Sequence, residues 1–89
     1  MRESCLECIL KHIGQATVLM HEMVKGYKYH FVYVVGHLAE AEDEAAASYP
    51  EIKDRIYALR KSFQEGNTVD IDALAIFIYE EWRDLNDST

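Results

Sequence analysis

The sequence predicts an all-α fold: an antiparallel bundle of about four helices, forming a single domain over residues 1–89. Three observations predict it. Apolar residues recur at three- and four-residue spacing through most of the chain. Gly26, Pro50 and the pair Gly66-Asn67 fall between the periodic stretches, where turn residues belong. The connections are short, so each amphipathic helix must bury its stripe against its neighbours in the chain.

The first helix is expected over roughly 4–25. Cys5, Ile9, Ile13 or Ala16, Met20 and Met23 lie along one side, and Gly26 ends the run. Ser4 has the character of an N-cap, with Glu7 three residues on completing a capping box. The second helix is expected over roughly 28–47, with Phe31, Val34, Val35, Leu38, Ala41 and Ala45 as its stripe. Phe31 to Val35 has strand-like composition, but the 3.6-residue period continues beyond it into the alanine-rich end. Pro50 suits the first turn of a third helix over 50–65, whose inner face is Ile52, Ile56, Leu59 and Phe63. Asp70 then caps a fourth helix over 70–86, with Ile71, Leu74, Ala75, Ile78, Trp82 and Leu85 on one side.

With 49% apolar residues and no low-complexity run, the chain has the composition of a globular domain. A domain this small buries only about two-thirds of its unfolded surface, so a metal or a partner subunit is an expected source of added stability. The net charge is −7 and concentrates in the last third, which disfavours nucleic-acid binding. Lys53, Arg55, Arg60 and Lys61 are interleaved with Glu51 and Asp54 and read as a solvated face. The opening MRESCLECILKHIG is interrupted by charges and does not read as a signal peptide, and no apolar run is long enough for a membrane span. A cytoplasmic location with reduced thiols is the resulting expectation.

The fourth helix has more apolar residues than one face can use. Ile76, Phe77 and Tyr79 lie beside or behind its stripe, and Leu10 and Val18 fall on the outer side of the first helix. Exposed apolar surface of this kind predicts self-association through helix 4, most simply as a two-fold homodimer. Tyr27, Tyr29, Tyr33, Tyr57 and Trp82 read as core or rim aromatics.

The sharpest chemical signal is Cys5-x2-Cys8-x3-His12 in SCLECILKH. At about 100° per residue these three side chains share an arc of roughly 60° that overlaps the apolar stripe. One reading makes them ordinary seam residues, with the cysteines acting as small hydrophobes. A second makes them zinc ligands, because zinc takes thiolate, imidazole and carboxylate donors in tetrahedral geometry. An antiparallel second helix carrying GHLAEAEDE would supply the fourth donor: Glu44, with His37 or Glu40 as substitutes. His21, Glu22 and His30 form a weaker group near the first turn.

A third reading is thiol redox chemistry. Both cysteines sit in the first two turns, where the helix dipole and free N–H groups favour a thiolate, and His12 is placed to relay a proton. Cys5-x2-Cys8-x3-His12 resembles the active-site signature of the alkylhydroperoxidase and carboxymuconolactone decarboxylase family, an all-helical group. The resemblance implies Cys8 as peroxidatic thiol, Cys5 as resolving thiol and His12 as part of the relay. It covers eight residues, and only four residues here precede Cys5, where that family carries glutamate-bearing helices.

Acidic pairs give a last alternative. Glu40-x2-Asp43, Glu51-x2-Asp54 and Glu81-x2-Asp84 resemble half of the magnesium-binding pattern of helical nucleotide pyrophosphohydrolases, with the other half missing. The sequence therefore predicts a small helical interaction module, homo-oligomeric, with a zinc site at Cys5, Cys8 and His12. Redox and magnesium-dependent hydrolase readings stand as the alternatives, and no enzymatic activity is assigned.

Overall fold

The computed structural model describes residues 5–26, 28 and 30–87. Four helices follow in order, α1 (Leu6–Val24), α2 (His30–Ala45), α3 (Pro50–Gln64) and α4 (Ile71–Asp87), with no strand among the described residues. The all-α bundle expected from the periodicity is the architecture observed. Packing runs around a ring, α1 on α2, α2 on α3, α3 on α4 and α4 back on α1. The α1–α2 seam is the most extensive and the α3–α4 seam the thinnest.

Cross-helix contacts fix the directions. Cys5 meets Glu44, His12 meets His37 and Glu22 meets His30, so α1 and α2 run antiparallel. Phe31 stacks on Phe63 at 5.0 Å between α2 and α3, and His21 reaches Asp72 between α1 and α4. The core consists of Leu6, Ile9, Ile13 and Ala16 from α1, Val34, Leu38, Ala41 and Ala45 from α2, Ile52 and Ile56 from α3, and Ile71, Leu74 and Ile78 from α4. The run from Phe31 to Val35 is helical because Val34 belongs to the same buried stripe as Leu38 and Ala41, which a strand would break up. Phe31 itself sits at the edge, 37% exposed.

The ends obey local rules. Gly26 and Gly66 adopt positive φ, 112° and 89°, just beyond α1 and α3. After α3 the Gly66 N–H bonds to the Phe63 carbonyl and the Asn67 N–H to that of Ser62, a Schellman ending. Pro50 occupies the first turn of α3, and Asp70 caps α4 by accepting the Ala73 N–H at 3.0 Å. The expected Ser4 cap lies outside the described residues, as do Tyr27 and Tyr29. The N-cap of α1 is Cys5, in extended conformation, whose sulfur accepts the Cys8 N–H at 3.1 Å.

Two expectations about the core need correcting. Leu6, not Cys5, continues the buried stripe of α1, because that stripe is centred about 90° round the helix from the Cys5–Cys8–His12 arc. Arg60 is not part of a solvated basic face: its guanidinium forks onto the carboxylate of Glu42, which is only 6% exposed. The Glu42 hydrogen bond, with its charge, raises the Arg60 pKa above the ordinary guanidinium value against the opposing effect of burial. Arg60 also donates to Gln64 at 2.8 Å.

Candidate functional site: the α1–α2 seam

Three acidic residues of α2, at positions 40, 42 and 44, are spaced by two. On a helix each step of two is about 200°, so successive members face opposite ways. Glu42 turns to α3 and Arg60, whereas Glu40 and Glu44 turn to α1. His37 shares their side, one turn before Glu40 and two before Glu44. On α1 the facing arc is Cys5, Cys8 and His12. Six metal-competent side chains therefore line one edge of one helix pair.

The structure sorts them into two groups. Cys5, Cys8 and Glu44 form the first, all half-buried, with donor atoms within 4.8 Å of one another. The two sulfurs are at disulfide-bonding distance, with Cα atoms 5.1 Å apart. Glu44 is drawn to the start of α1 by accepting the Cys5 N–H through Oε1 at 2.9 Å. The same backbone positions thus suit an oxidised Cys5–Cys8 disulfide or, when reduced, two thiols converging beside a carboxylate.

His12, His37 and Glu40 form the second group, again with donor atoms within 4.8 Å. The Nδ1 atoms of His12 and His37 are 3.3 Å apart, and His12 Nε2 is 3.3 Å from Glu40 Oε2. Both histidines are half-buried and Glu40 is exposed. Cys8 and His12 are spaced so that one ion could take both. Here, however, Cys8 turns to Cys5 and His12 to His37. Glu44 thus accompanies the cysteines, while the two substitutes, His37 and Glu40, accompany His12.

The weaker group near the first turn is reduced to a pair. His30 Nε2 lies 2.7 Å from Glu22 Oε2, while His21 points to α4 and lies 3.3 Å from Asp72. The acid pairs Glu40-x2-Asp43, Glu51-x2-Asp54 and Glu81-x2-Asp84 sit on three different helices. Among the described residues they form no metal-sized cluster with one another. Asp43, Glu51, Asp54, Glu81 and Asp84 are all exposed.

Outside the seam, exposed apolar side chains lie on both α4 and α1. Tyr79 and Trp82, with ring centroids 5.8 Å apart, border a shallow groove with Leu10. A second shallow groove, also lined by Leu10, passes Gly14 and Val18 and reaches His37. Ile76, Tyr79 and Val18 are about half exposed, whereas Phe77 packs against the core under the guanidinium of Arg55, 4.1 Å from its ring centroid. No helix among the described residues is long and apolar enough to cross a membrane.

Compared with known proteins, the chain matches no family model, and neither a curated protein nor a solved structure gives a significant match.

Proposed function

We propose that this chain is a small helical module whose α1–α2 hairpin is fastened by a zinc ion at Cys5, Cys8 and Glu44. The observation that carries this reading is the convergence of two sulfurs from α1 and a carboxylate from α2, with donor atoms within 4.8 Å of one another. Zinc takes thiolate and carboxylate donors and completes its tetrahedron with one further ligand, either water or a neighbouring side chain. Such an ion bridges the start of α1 to the end of α2, adding stability where a domain of this size has little apolar surface to spare. The exposed side chains of Ile76, Tyr79 and Val18 supply the apolar surface through which two copies associate.

Metal content and thiol titration of protein purified without chelator test the reading. About one zinc per chain, lost together with part of the stability in Cys8→Ser, supports it. Metal-free protein that cannot be loaded with zinc after reduction removes it. Sedimentation showing only monomer at high concentration removes the self-association half.

The pairing of Cys5 with Cys8 at the start of α1 favours a second reading, thiol redox chemistry. Cys5 is the N-cap, and its sulfur receives the Cys8 N–H, an environment that stabilises a thiolate. A freely reversible Cys5–Cys8 disulfide in metal-free protein, with thiols reactive toward peroxide, is the result this alternative requires.

A further inference from the structure

We infer that His12, His37 and Glu40 constitute a second divalent-cation site, chemically distinct from the thiolate site one helical turn away. The proposed zinc at Cys5, Cys8 and Glu44 is its neighbour, and this inference uses that reading for one of its arguments only.

The geometry is the first argument. A tetrahedral ion with arms of about 2.0 Å spaces its donors about 3.3 Å apart. One donor atom from each of His12, His37 and Glu40 lies within 4.8 Å of the other two, close enough for one ion to draw together. His12 offers that ion either Nδ1, 3.3 Å from His37 Nδ1, or Nε2, 3.3 Å from Glu40 Oε2, but not both. Two imidazoles and a carboxylate, with a fourth position open to water, make a donor set that suits zinc and related first-row ions. Glu40 is exposed, so an ion and its water can reach the site without opening the bundle.

Charge is the second argument. Two thiolates and Glu44 carry three negative charges, so a divalent ion there leaves a surplus of one. Glu40 adds another within a turn of Glu44. A second divalent cation held by neutral imidazoles and Glu40 leaves one positive charge, which offsets that surplus. At this distance, in a half-buried seam, such compensation matters more than it would in water. The donor sets also differ in softness: the sulfur set favours zinc and other thiophilic ions, whereas the nitrogen and oxygen set accepts a wider range.

Cobalt(II) titration of the full chain separates the sites, because thiolate ligation produces intense sulfur-to-metal charge-transfer absorption and imidazole–carboxylate ligation does not. Reduced wild-type protein is expected to take two ions. Protein oxidised to the Cys5–Cys8 disulfide keeps its sequence intact and is expected to take one, without charge-transfer bands. In that oxidised form His37→Gln should weaken binding at least as much as the ~10–100-fold that loss of an outer-sphere partner costs.

The inference is overturned if oxidised, folded protein binds no cobalt(II), or if His37→Gln leaves its binding unchanged. It is also overturned if reduced protein takes a single ion that is lost both on oxidation and in His12→Gln/His37→Gln, since that describes one mixed site. If reduced protein shows no charge-transfer bands while oxidised protein still binds one ion, the thiolate site fails and the histidine site stands. If charge-transfer bands survive in His12→Gln/His37→Gln and oxidised protein binds nothing, the histidine site fails and the thiolate site stands.

Discussion

The two flanks of α2 solve the same electrostatic problem differently. Toward α3, the buried Glu42 faces Arg60, a cation built into the chain that stays charged across any ordinary pH. Toward α1, Glu44 and Glu40 face cysteines and a histidine, whose charge depends on redox state, pH and any bound metal. One seam carries its own counter-ion, and the other offers donor atoms to an ion from outside. Neighbouring residues of one helix can therefore serve a fixed structural role and a conditional chemical one, because alternate positions turn to opposite partners.

The largest expected effect breaks the fixed side. Arg60→Met leaves Glu42 without its cation in a buried position and should cost about 3 kcal/mol in urea unfolding, as for other broken buried pairs. Adding Glu42→Leu should return most of that loss; a double variant as unstable as the single one would show that the pair is not what Arg60 supplies. The Arg60 pKa is raised on folding, so its contribution is fully present below the unfolded guanidinium value. It is lost only as pH rises through the still higher folded value, so this side of the pair gives no pH dependence in the neutral range.

The conditional side should behave oppositely. Zinc at about 100 times its dissociation constant should stabilise the reduced protein by about 2.7 kcal/mol, measured by thermal unfolding with and without metal. Protons compete for thiolate and imidazole lone pairs, so this increment should shrink as pH falls. It should be reduced in Cys5→Ser/Cys8→Ser, and an undiminished increment there would move the metal away from the sulfurs. Both variants can be scaled against a plain helix-end effect: Asp70→Ala removes the cap of α4 and should cost about 1 kcal/mol. Smallest of all, Ile76→Ser with Tyr79→Ser should change monomer stability by less than about 0.5 kcal/mol while shifting sedimentation toward monomer.

The helices were legible because a 3.6-residue period survives any choice of neighbour, and Gly26, Pro50 and Gly66 mark the turns whatever the packing. The candidate ligands were legible as a set, since Cys5, Cys8, His12, Glu44, His37 and Glu40 differ from their apolar surroundings in type alone. Their division into two groups was not legible. It depends on how far α1 and α2 rotate about their axes, and a linear pattern leaves that rotation open by a large part of a turn. Glu42 was missed for a related reason. It stands in a run of four acidic positions interrupted only by Ala41, and a helical wheel drawn on the Val34–Leu38–Ala41–Ala45 stripe puts it just past the stripe's edge. The available signal was Arg60, a basic residue just past the edge of the Ile52–Ile56–Leu59–Phe63 stripe of α3.

The contact between the Cys5 N–H and Glu44 joins residues separated by 39 positions in the chain. In polymer terms it is a clasp on a hairpin already closed at its far end by the turn around Gly26. Ordering a loop of that length carries an entropic cost that grows only slowly with size, so a single firm link at the open end restrains the whole pair of helices. Whatever fastens or releases that clasp acts on the longest seam of the bundle at once. Its state should therefore register in the hydrogen exchange of amides throughout α1 and α2, well beyond the residues that form it.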